Sequence, residues 1–369
     1  MDITLAEARS LAQRPLKLTA NRVWRIYQGG ALIHELRGEP NPQDGSFPED
    51  WTTSDTQALN EGREHIVEGL SRVQLADGRT VPLRDLLQAA PEPYLGREHV
   101  RRYGSKLALL VKLLDSAERL QIQAHPTPEF SRRHLNDTFG KTESWLVLGT
   151  RPIAGVEPYI LLGFREPVDK PTLGDLIARQ DVAGMEQMLN RVPARPGQLY
   201  ILRAGVPHAI GPGVFMVEVQ EPTDWVVSAE FQVGQVVLSE KAALMGLDLD
   251  TALDVFEYDG AVGTEAVAAA SLARRPLSDA ETVVVGSEDT PCFRAHELRV
   301  RGDLPDRHRG EVYSGIVVQG SGEMVGPADS LSLQQGDSFF VPAGSQHEGY
   351  RSDDGMKVIL SFPPTPAAR

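Results

Sequence analysis

GQLYILRAGVPHAIG, residues 197–211, and GDSFFVPAGSQHEG, residues 336–349, are two versions of one device. At an offset of 139 residues, Gly197 falls on Gly336, Gly205 on Gly344 and His208 on His347. Each version runs β-prone residues into a glycine-bearing reversal, from which the chain returns with a single histidine. Glycine permits the sharp reversal and proline stiffens it. Pro342 does so in the second version, where the first has Arg203. A device repeated in register marks two copies of one folding unit.

The surrounding sequence agrees. ESWLVLG, PYILLGF, QLYILR, VFMVEVQ and SGIVVQG are short β-rich runs between Gly, Pro and Asp turns, as in sandwiches and barrels. Three stretches carry helical spacing, beginning at Val100, Pro171 and Leu238, and the first straddles a helix and a strand. The spacing G-x5-P-x-G-x2-H at Gly336, Pro342, Gly344 and His347 resembles the second motif of the cupin superfamily, a jelly-roll barrel. The expected fold is mainly β, with two cupin barrels and helical insertions. Residues 1–238 are read as a metal-binding barrel with a helical insert near 171–193. Residues 239–282 are read as a helical linker, and 283–369 as a second, metal-free barrel.

The chain's 369 residues suit two units. Its apolar share of 41% and charged share of 24% suit a water-soluble protein. No apolar run spans a bilayer, and the N-terminus has no apolar export core. One cysteine, Cys292, makes neither an internal disulfide nor a thiolate metal site. These features point to the cytoplasm. A formal charge of −14 disfavours nucleic acid and anionic membranes as partners. No glycine-rich phosphate loop precedes a helix, which argues against a nucleotide cofactor.

The first repeat has partners for its histidine. LQIQAHP places Gln123 and His125 two residues apart, and FGKTESW places Lys141 and Glu143 two apart. That spacing puts each pair on one face of a strand. Gln123, His125, Glu143 and His208 therefore form a candidate N/O cage for one divalent ion, with zinc the best match. His34, His65, His99, His134, His296 and His308 are read as ordinary structural histidines. GEVYSGIVVQGSGEMV, upstream of the second repeat, offers His347 no His-x-His pair, so that unit is read as metal-free.

FPEDWTTS, LLVKLLDSAERLQIQAHP, FGKTESWLVLG and ILRAGVPHAIGPGVFMVEVQEPTD together resemble the type I mannose-6-phosphate isomerases. The resemblance runs through most of the first 230 residues in the family's order. It implies one Zn²⁺ held by Gln123, His125, Glu143 and His208. It implies interconversion of mannose 6-phosphate and fructose 6-phosphate by proton transfer through an enediol. It makes Glu218 a base or proton shuttle, Lys141 a proton-transfer or orienting group, and Asp224 the support for a catalytic arginine. Ser54, Trp225 and Arg132 are candidate substrate contacts, Trp225 by stacking on a sugar face and Arg132 by meeting a phosphate.

One position departs from the family. Its pattern places the arginine four residues after the aspartate, and here DWVVSAEF puts Ser228 there. Serine offers neither a charge nor a donor fork. Lys141, Arg203, Arg132 or Arg133 could supply the cation, the sugar could differ, or the barrel could bind a sugar without turning it over. An iron oxygenase is a weaker reading, because such cages carry more histidines and Gln123 suits a redox-inert ion.

Overall fold

The structure, a computed structural model, describes residues 3–327 and 329–365. It is mainly β, as expected. The runs singled out above form the strands Glu143–Thr150, Tyr159–Phe164, Leu199–Leu202, Val214–Gln220 and Tyr313–Val325. In the first barrel two antiparallel sheets face each other. One has six strands in the order Leu199–Leu202, Glu143–Thr150, Val214–Gln220, Leu110–Asp115, Glu49–Thr53 and Arg22–Val23. The other has five, Leu189–Pro193, Tyr159–Phe164, His208–Ile210, Gln123–Ala124 and Val227–Ser228.

The central strands of the six-stranded sheet are buried on both faces, and alternation sorts their side chains. Leu113, Leu146, Phe215, Val217 and Val219 point outward into a core shared with Leu86, Tyr94, Phe340 and Ile359. Leu114, Trp145, Val147 and Met216 point inward, against Ile160, Leu162 and Ile210 of the five-stranded sheet. Lys112, Glu143 and Glu218 have the inward parity. A buried strand thus delivers charges to the barrel interior without breaking its outer apolar seam.

Three details differ from the sequence reading. The helical stretch from Pro171 ends early. Helices Lys170–Arg179 and Val182–Gln187 are followed by the strand Leu189–Pro193. There the Asn190 side chain donates to the carbonyls of Leu162, Gly163 and Phe164, tying the chain to the neighbouring strand. Within 239–282, helices Glu240–Ala243, Leu249–Leu253 and Gly263–Ala270 give way to strands Arg275–Pro276 and Glu281–Val285. A hairpin closed by Leu277 N–H on Glu281 O starts the second sheet inside the expected linker.

The third difference is larger. The second unit's sheet is built on long strands of 12, 13 and 14 residues, Arg294–Pro305, Tyr313–Val325 and Gly349–Phe362. They bend through register shifts. Gly320, at φ 75°, sits so close to Gly355 that a Cβ would lie 2.0 Å from its carbonyl oxygen. That sheet also takes in Leu16–Leu18, paired with Ser338–Val341, and then Arg72–Gln74 and Thr80–Pro82. Pieces of the first 90 residues therefore lie in the sheet of the C-terminal unit. Among the described residues no helix is long and apolar enough to cross a membrane.

Candidate functional site

Gln123, His125, Glu143 and His208 come together between the two sheets. His208 is the antiparallel partner of Gln123, and His125 and Glu143 face them, each buried. His125 Nε2 is 3.1 Å from one Glu143 oxygen and His208 Nε2 is 3.3 Å from the other. The far side of each ring is tied down. His125 Nδ1–H donates to Trp225 O at 3.0 Å, and His208 Nδ1–H donates to Val206 O at 2.8 Å. Those bonds set the tautomer and leave both Nε2 lone pairs aimed inward, the orientation a metal ligand needs.

The donor set fits a divalent ion. Both Glu143 oxygens are buried without a hydrogen bond of good geometry, which is costly unless a cation answers them. Lys141 Nζ stands nearby, 2.8 Å from Glu143 and 2.9 Å from His125 Nε2. Burial opposes the Glu143 charge, but the Lys141 ammonium outweighs it and holds the carboxyl far below its ordinary range. Burial first, then Lys141, pushes His125 down to about 3, so its imidazole is neutral. Gln123 Nε2 lies 3.3 Å from His208 Nε2. Turning the amide over would present its oxygen there instead.

A cavity of about 560 Å³ opens onto this group, with Gln123 and Lys141 in its wall. Glu218, Asp224, Trp225 and Ser228 also line it. Glu218 is buried beside Lys112, 3.2 Å away, and burial pushes its carboxyl up to about 7 despite that lysine. Every lining residue falls between Arg25 and Gly246.

Two expected contacts are elsewhere. Ser54 is fully buried, and its hydroxyl closes a turn with Thr56, accepting from its N–H and donating to its carbonyl. Arg132 is exposed on the segment Ser131–Leu135, outside the cavity wall. Of the other cations considered in place of an arginine at 228, Lys141 is in the cavity wall, and the two arginines are remote. Arg133 pairs with Glu129 on the surface, and Arg203 reaches the carbonyls of Ala269 and Asp289.

Sequence reasoning missed a second charged set in the same wall. Arg25 holds Asp224 with both Nη atoms, at 2.8 and 3.1 Å, and its Nε lies 3.1 Å from Glu49. Glu49 also accepts from Tyr27 Oη at 2.7 Å and Trp51 Nε1 at 2.6 Å, and lies 3.7 Å from Lys112. Burial would raise the Glu49 pKa, yet Arg25 and Lys112 outweigh it and bring it to about 2. The available signal was the lysine in the apolar run LLVKLLD and the second arginine of RVWRIY.

The second barrel has its own buried cluster. His347, expected to stand nearly alone, binds Asp306 and Ser345 and contacts Tyr313. Glu281, His296 and His308 also converge, with ligand atoms within 4.8 Å of one another. Here the His296 and His308 N–H groups donate to one Glu281 oxygen at 2.6 and 2.7 Å. Those are hydrogen-bond lengths, shorter than the 3.1 and 3.3 Å separations in the first barrel.

Fold and site define a double-barrel β protein with a buried His–Glu group and a charged cavity in its first barrel. No family model matches the chain. A mannose-6-phosphate isomerase of Streptococcus mutans is 25% identical over 290 residues, 77% of this chain and 84% of that one. The mannose 6-phosphate isomerase structure from Bacillus subtilis superposes with a TM-score of 0.71 at 21% identity, covering 95% of this chain and all of that one. A mannosephosphate isomerase structure from Archaeoglobus fulgidus, described there as putative, gives 0.71 at 20%, covering 96% and 98%. The chain is thus similar in sequence to mannose-6-phosphate isomerases and shares the fold of their solved structures.

Proposed function

We propose that this protein is a cytoplasmic, zinc-dependent aldose–ketose isomerase that interconverts mannose 6-phosphate and fructose 6-phosphate. The observation that carries the reading is Glu143, which presents one oxygen to each of two carbonyl-locked histidines, with Lys141 beside them, at the end of a sugar-sized cavity. His125, Glu143, His208 and the Gln123 amide oxygen would hold one Zn²⁺ per chain. When bound, such an ion supplies Lewis acidity toward the sugar oxygens.

The chain's own groups account for the proton transfers. Glu218 takes the C2 proton of the open-chain aldose. The C2–H electron pair becomes the C1=C2 bond, and the carbonyl π pair moves to O1, which takes a proton from Lys141 Nζ. The enediol then gives its O2 proton to Lys141 as C2=O forms, and C1 takes back the proton held by Glu218. Lys112 steadies the Glu218 carboxylate between transfers, and Trp225 offers an indole face in the cavity wall. The five-stranded and six-stranded sheets with the segment to Gly246 form the working barrel, and the C-terminal unit braces its outer face.

A second reading rests on Ser228: a metal-binding barrel that binds a sugar, or a different sugar, without this turnover. A coupled assay of fructose 6-phosphate formation from mannose 6-phosphate by zinc-loaded protein decides between them. Turnover supports the isomerase. Tight sugar binding without conversion of any hexose or hexose phosphate overturns it.

A further inference from the structure

We propose that Arg25 is the guanidinium with which the cavity meets the substrate's oxygens, so that a residue from the N-terminal strand region does the work that Ser228 cannot. This rests on the isomerase reading above and concerns the same cavity.

Arg25 is the one arginine in the cavity wall among the described residues. Its plane is fixed from several sides: Asp224 takes both Nη atoms, Glu49 faces Nε, Asn60 Oδ1 accepts from Nη1 at 3.1 Å, and Trp51 lies under the group at 5.1 Å. A guanidinium has five N–H bonds. Hydrogen bonds to Asn60 and Asp224 use three, Glu49 lies against Nε, and among the described residues the second N–H of Nη2 has no partner. A buried fork held by two carboxylates, with one donor left for the cavity, is prearranged to answer negative charge as it develops on a sugar oxygen.

The neighbouring lysines have other tasks, Lys141 in the proton transfers and Lys112 beside Glu218, and neither offers a planar fork of donors. Lys141 lies on His125 and Glu143, and Lys112 lies on Glu218 and Glu49. Ser228 is the direct strand partner of Gln123. A small side chain there keeps the cavity open beside the His–Glu group, while the carboxylate four residues upstream, Asp224, is taken by Arg25 from across the barrel.

The test uses full-length, zinc-loaded protein. Arg25→Ala is expected to lower kcat by about 100-fold, the scale for losing one prearranged donor, with KM for mannose 6-phosphate changed by less than about fivefold. Added guanidinium ion, or Ser228→Arg in the Arg25→Ala background, should recover at least about tenfold of the loss. Unchanged kcat overturns the proposal, and so does a loss that neither treatment recovers, which would make Arg25 only a clamp on Asp224. Should Arg25→Ala fail to fold, Arg25→Lys keeps the charge but not the fork. It should lose at least about tenfold in kcat, and wild-type turnover in that variant overturns the proposal. An inactive wild type would instead sink the isomerase reading itself.

Discussion

Replacing Glu49 by glutamine tests the charged wall of the cavity directly. The substitution keeps the shape and removes the charge that Arg25 and Lys112 share. Glu49 is only 4% exposed, so its interactions are little screened by solvent. Its carboxyl titrates at about 2 in the folded protein, against an ordinary 4.5. That depression of about 2.5 units corresponds to about 3.4 kcal/mol favouring the fold at pH 7. Because the folded pKa is the lower one, the contribution is complete above about pH 4.5 and fades as pH falls through 2. At pH 3 the same linkage leaves about 1.4 kcal/mol. Urea unfolding of metal-free wild type and Glu49→Gln should therefore show a stability gap of about 3 kcal/mol at pH 7, shrinking by more than half at pH 3. A gap below about 1 kcal/mol at pH 7 would refute the reasoning. So would an equal gap at both pH values, since lost packing has no such pH dependence.

Two further outcomes follow from other clusters. With zinc at about 1,000 times its Kd, the wild type should gain about 4 kcal/mol of stability, and Glu143→Gln should gain at least about 1.4 kcal/mol less, matching a tenfold or larger loss of affinity; an identical zinc-induced shift in melting temperature would remove Glu143 from the ligand set. In the second barrel, burial opposes charge on His308, but Glu281, Glu311 and Asp306 outweigh it and raise its pKa to about 9. Its stabilising contribution is full below about pH 6.5 and disappears as pH rises through 9. Imidazole NMR titration should place His308 well above an ordinary histidine, and a midpoint near 6.5 would show that its contacts with Glu281 and Glu311 carry no net stabilisation.

Much of the site was legible in the sequence because alternation along a strand is a local rule. Q-x-H and K-x-E declare which side chains share a face, and the repeated turn places His208 and His347 at equivalent points. Those readings brought Gln123, His125, Lys141, Glu143 and His208 together before any coordinates. Other positions were decided by the tertiary structure. Period two shows that Lys112 and Glu218 each take one face of a strand; that they sit opposite each other depends on which strands pair, and the register aligns Glu218 with Lys112. Arg25 reaches Asp224 across 199 residues of chain, a pairing no local pattern announces. Ser54 faces its own turn because its hydroxyl caps Thr56, and Leu16–Leu18 leave the first barrel because their backbone bonds are met by Ser338–Val341. The sequence by itself determined the strands, the repeat and the ligand-bearing faces. Only the long-range strand pairings decided which buried charges meet in the cavity, since the cost of burying a charge is offset by whichever opposite charge the fold brings beside it.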